Sequence, residues 1–243
     1  MLDRKPWKLW EAALLISPFV LSIVVAQFAQ SQVPANAPPP VFSLSNFLLN
    51  SMVFLAYAAC AVGILMSKYE LSLDAVLGIK KGPLIQLLPT AFFIGFSIVP
   101  LMFILQMGCH LFFKSMGIAV EAQKSIQTLK SMDTPIQILL FSLMPVIQAP
   151  LVEEILFRGI LFPSLRISVP RWVAYTAPAL LFSAVHLSLL NALPLFALAL
   201  LLTWQYEKTG NLLCPVLTHA GFNLCNVLLA RGIIPLEKII PPS

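Results

Sequence analysis

The chain has 243 residues, of which 59% are hydrophobic and only 10% charged, and its mean hydropathy is +0.90. Soluble domains carry about 25% charged residues, so this composition excludes an ordinary soluble fold and specifies an all-α, polytopic membrane bundle. The net charge of +5 does not signal nucleic-acid binding, because the basic residues stand in small groups at the ends of apolar runs, as topology signals do.

Apolar runs predict a first span over about residues 11–29, retained as a transmembrane helix and not removed as a signal peptide, since it exceeds the usual h-region of about 7–15 residues. A proline-rich connector follows, then a second span over about 47–66. The charged piece 67–82 is too short to cross and reads as interfacial. A third span covers about 84–107. The polar connector 108–135 is expected to hold a short amphipathic helix around 120–129. A fourth span runs over about 136–165, a fifth over 172–190, a sixth over 193–206 and a seventh over 212–230. Seven to eight membrane helices in one domain, 1–243, is the expected architecture. Cys60, Cys109, Cys214 and Cys225 form no CxxC motif and read as small apolar fillers. Arg4, Lys5, Lys8, Lys68, Lys80, Lys81, Arg166, Arg171 and Lys208 place the N-terminus in the cytoplasm by the positive-inside rule, in what is expected to be a bacterial plasma membrane. Lys114, Lys124 and Lys130 run against that rule.

The fourth span carries Glu153, Glu154 and Arg158. Ionisable groups at membrane depth cost several kcal/mol, roughly 3 each on insertion scales, so they are rare and usually paired or functional. On a helix Glu154 and Arg158 stand at i,i+4 with the acid first, the favoured order. Glu153 is turned about 100° away, so its partner is expected on a neighbouring helix. His186 lies in the fifth span and His219 in the seventh, with Phe182 and Asn223 one turn from each. Counted from the proposed cytoplasmic ends, Glu153, His219 and His186 lie at depths of roughly 15, 12 and 20 Å. Taken singly, a membrane histidine or asparagine usually serves as interhelical glue; together these residues make a cluster of the kind that forms a site.

Glu153-Glu154-x-x-x-Arg158, Phe182-x-x-x-His186 and His219-x-x-x-Asn223, in that order, resemble the motifs of the CAAX protease and bacteriocin-processing family. The likeness covers about residues 136–230, with no departure at the seven motif positions. It implies an intramembrane glutamate-dependent endopeptidase acting on a membrane-associated peptide or prenylated protein, without metal or other cofactor. Glu153 would act as general base on water with His186 helping to hold it, and His219 and Asn223 would form the oxyanion site. Glu154, Arg158 and Phe182 would support the geometry. The residues themselves suit such chemistry, because desolvation raises the proton affinity of a carboxylate and an imidazole with an amide can stabilise an oxyanion. They leave open a zinc mechanism, a non-proteolytic adaptor or bacteriocin-immunity role, and an ion pathway. The substrate and the oligomeric state are not specified by the sequence.

Overall fold

The computed structural model describes residues 5–33, 43–79, 84–118 and 128–233, and every element among them is helical. In chain order these are α1 (Leu9–Ser31), α2 (Leu44–Tyr69), the short α3 (Leu73–Leu77), α4 (Leu84–Ser97), α5 (Val99–Ser115), α6 (Pro135–Ser168), α7 (Arg171–Val185), α8 (Ala192–Thr209) and α9 (Leu213–Ala230). α4 and α5 form one continuous candidate span, Leu87–Ser115, interrupted only by a turn at Ile98 just before Pro100. The third span therefore runs further than its hydropathy suggested, through Lys114. The amphipathic helix expected around 120–129 falls largely outside the described residues.

Among the described residues, five helices are long and apolar enough to cross a membrane: α1, α2, α4–α5, α6 and α9. The expected count of seven to eight is not confirmed. α7 has 15 residues, roughly 22 Å of helix against a hydrocarbon core of about 30 Å. α8 spends its last turns on Gln205, Tyr206, Glu207 and Lys208. The two make a hairpin that turns back early. Its tip is tied to α5 by a 2.8 Å hydrogen bond from Gln106 Nε2 to Asn191 Oδ1, nine residues short of the end of α5.

The outward faces of α1 and α2 present Leu14, Leu21, Leu48, Leu49, Met52 and Val53, which is the surface a bilayer covers. The core is built around α9, where half of the span is buried against 22% for α1 and α2. α9 crosses α4 backbone to backbone. A Cβ on Gly95 would stand 2.1 Å from the Thr218 carbonyl oxygen, and one on Gly221 would stand 2.3 Å from that of Phe92. Thr218 Oγ1 donates to Ala91 O across the same crossing at 2.7 Å. Small residues that let helices approach are the usual means of association in lipid. Gly221→Ala should therefore force the helices apart and cost about 3 kcal/mol, read as a fall in the denaturation midpoint of the detergent-solubilised protein; unchanged stability would contradict this crossing.

One group of basic residues is held at helix ends by local partners. Lys5 Nζ donates to the carbonyls of Ala75 and Val76 at the close of α3, and Trp7 Nε1 to Ile160 O on α6 at 2.9 Å. Glu11 accepts from Lys68 at 2.5 Å and from Tyr69 at 2.6 Å. Glu207 gathers Arg166, Arg171 and Tyr175. Burial pushes the Glu207 carboxyl up, but the hydrogen bonds from Arg166, Tyr175 and Arg171 together outweigh it and hold it down at about 2. The free carboxyl titrates near 4.3, so the stability this junction supplies is present above that range and is lost as pH falls through 2. The thermal-stability advantage of the wild type over Glu207→Gln should be full at pH 7 and gone near pH 2; an advantage that does not change with pH would refute the pairing.

Candidate active site

α6 is one helix with two widened turns. Its register opens to π geometry at Met144–Gln148 and again at Ile155–Leu161. Proline explains the first. The Ala149 N–H bonds back to Met144 O, five residues away, and Pro150 has no N–H to offer Pro145. The Pro145 carbonyl is thus left without an intrahelical donor, and Asn223 Nδ2 on α9 supplies one at 2.6 Å. Turns of this kind are frequent at functional sites. Pro145 is a site residue that the motifs do not mark; the proline pair at 145 and 150 is the sequence signal that points to it.

Between the two widened turns stand the acids. Glu154, fully buried, accepts through Oε1 from Arg158 Nη1 at 2.9 Å, the pair expected from i,i+4 spacing. Arg158 Nη2 donates to Ala199 O on α8, also at 2.9 Å. The same Oε1 lies 3.0 Å from His219 Nδ1. Glu154 Oε2 is buried without a hydrogen-bond partner. The interhelical partner expected for Glu153 therefore goes to Glu154. Glu153 is half-buried, and among the described residues no hydrogen bond or ion pair engages its carboxylate. It remains within electrostatic reach of His219, Glu154 and Arg158.

Phe182 joins these groups from α7. Its fully buried ring packs edge-on to Phe157 at 5.4 Å and has the Arg158 guanidinium 5.0 Å from its centre. The rings of His186 and His219 lie 4.9 and 5.8 Å from it. His186 sits just past the last residue of α7, not in mid-helix as a continuous fifth span would place it. Its Nδ1 is 2.7 Å from Phe182 O, and because a carbonyl can only accept, Nδ1 is the donor and neutral His186 carries its lone pair on Nε2. Leu187 follows with φ of 44°, left-handed backbone that turns the chain out of the helix.

Six of the seven motif residues are thus drawn together: Glu153, Glu154, Arg158, Phe182, His186 and His219. Asn223 lies one turn along α9 from His219, engaged with Pro145. The arrangement neutralises one carboxylate and leaves the other unengaged, within electrostatic reach of the His219 imidazole. Among the described residues, no three of His, Cys, Asp and Glu are gathered in a way that would hold a metal ion. The four cysteines are free thiols.

Residues 135–225, from the start of α6 into α9, match the family model described as type II CAAX prenyl endopeptidase Rce1-like. Over these residues the chain is similar to the CAAX protease family. The family match supports protease activity in an integral membrane protein and lies on the helices that carry the polar cluster. No curated protein and no solved structure matches the chain.

Proposed function

We propose that this protein is an intramembrane endopeptidase that hydrolyses a peptide bond of a membrane-associated or lipidated substrate, with Glu153 as general base. The observation that carries the reading is the contrast between the two adjacent acids. Glu154 is committed to Arg158 and His219, whereas Glu153 is held by neither and has a proton-accepting carboxylate to spend. A general base must be within reach of the water it activates. Glu153 takes a proton from that water as the water oxygen bonds to the scissile carbonyl carbon. The C–N bond then breaks, and the same proton passes to the leaving amine. His186 Nε2 helps hold the water. His219 supplies an oxyanion contact, and Asn223 adds the second N–H of its amide, the first being given to Pro145. Donors aimed at a developing oxyanion are worth about 3–4 kcal/mol where one has been removed.

A prenylated protein or a membrane-anchored peptide fits the family and the depth of the site. The end that collects Lys5, Lys68, Arg166 and Arg171 would face the cytoplasm. Comparative membrane peptidomics of cells carrying wild type or Glu153→Gln tests catalysis and names the substrate together. Uncleaved precursors should accumulate only with the variant; identical peptide profiles would remove the endopeptidase reading. Elemental analysis of the purified protein checks the mechanism, since a stoichiometric metal would displace Glu153 as sole activator of the water.

A further inference from the structure

His219 meets Glu154, and the geometry of that meeting restricts what its imidazole can do. Glu154 Oε1 already accepts from Arg158 Nη1, and Arg158 keeps its proton. Paired with a guanidinium at 2.9 Å and 0% exposed, Glu154 is a carboxylate and can only accept. The 3.0 Å contact with His219 Nδ1 is therefore a hydrogen bond only when Nδ1 carries the proton. We propose that Glu154 is a positioning residue that holds His219 in its Nδ1–H form, so that His219 presents a lone pair at Nε2 when neutral and donates there only as the imidazolium. This rests on the endopeptidase reading and adds a condition to it: the oxyanion contact from His219 requires a second proton on that ring.

The surroundings hold the ring to this choice. The side chain is 3% exposed and packs edge-on to Phe182. Its own helix is locked in rotation by the Thr218 bond to Ala91 and the Gly221 contact with Phe92. The charged groups that act on it come from α6: Glu154 in direct contact and Glu153 within electrostatic reach. α7 offers the Phe182 ring, and α4 carries no charged residue.

The test is nitrogen NMR of protein labelled with ¹⁵N-histidine in lipid nanodiscs, with the His219 signals assigned by their loss in His219→Asn. Wild type and Glu154→Gln should both show neutral His219 protonated at Nδ1, because the glutamine oxygen preserves the acceptor. Glu154→Leu combined with Arg158→Leu removes the acceptor without stranding a charge. In that variant the Nε2–H form should become populated, and kcat should fall about a hundredfold with KM little changed. Neutral His219 protonated at Nε2 in the wild type, or an unchanged tautomer in the double variant, would overturn the proposal. The NMR readout needs no turnover. A protein with the expected tautomers and no peptidase activity would therefore sink the endopeptidase reading alone, while the reverse result would sink only the role of Glu154.

Discussion

Glu153→Gln should lower turnover by about a thousandfold and leave membrane insertion and thermal stability unchanged. The amide has the shape of the carboxylate but cannot take a proton from water. Because no described residue pairs with the Glu153 carboxylate, removing its charge breaks no contact. That separates it from its neighbour, where the same change touches Arg158 and His219. The measurement is cleavage of a quenched fluorescent peptide by purified protein in nanodiscs, alongside a thermal melt. Activity within twofold of wild type would remove Glu153 from the mechanism. An adaptor that only holds a partner gives a different pattern, with partner binding and phenotype kept by Glu153→Gln and by Glu153→Ala alike.

The division of labour between the acids was legible in part. The i,i+4 pairing of Glu154 with Arg158 follows from helix geometry and is observed. Which acid reaches another helix did not follow, because that inference assumed uniform α-helical turns. Each widened turn adds about one residue, close to 100° of rotation, and α6 has one on either side of the acids. The face opposite His219 consequently belongs to Glu154. The proline pair at 145 and 150 carried a signal for the first widened turn, whereas Ile155–Leu161 offers none in its own residues.

The ends of the helices show the same limit. α9 falls within a residue of its expected start, since Gly210 stops α8 in left-handed conformation and the apolar run begins at once. The fifth span expected over 172–190 includes Leu187, Leu189 and Leu190, which hydropathy cannot tell from helix. Those leucines form the hairpin tip, and the polar markers there are Ser188 and Asn191, which bond to each other at 2.9 Å. Leu187 and Leu189 are exposed at the tip, and hydropathy does not distinguish an exposed apolar turn from a span. His186 consequently sits at a helix terminus, where its Nδ1 uses the Phe182 carbonyl and its other nitrogen is directed by a loop.

Arg158→Met should be the most destabilising single change among the seven motif residues, at about 3–5 kcal/mol. Methionine keeps most of the volume, so the cost is electrical. Glu154 would stay 0% exposed with Oε2 already unpartnered and only His219 left to its other oxygen, while Ala199 would lose the guanidinium donor. Removing both charges with Glu154→Leu and Arg158→Leu should be far milder, because two matched apolar groups leave no buried charge uncompensated. Denaturant unfolding in mixed micelles compares the three proteins directly. If Arg158→Met costs under about 1 kcal/mol, Glu154 is neutral in the folded protein. It would then no longer oblige His219 to protonate at Nδ1, and the contrast between a committed Glu154 and an unengaged Glu153 would lose its basis.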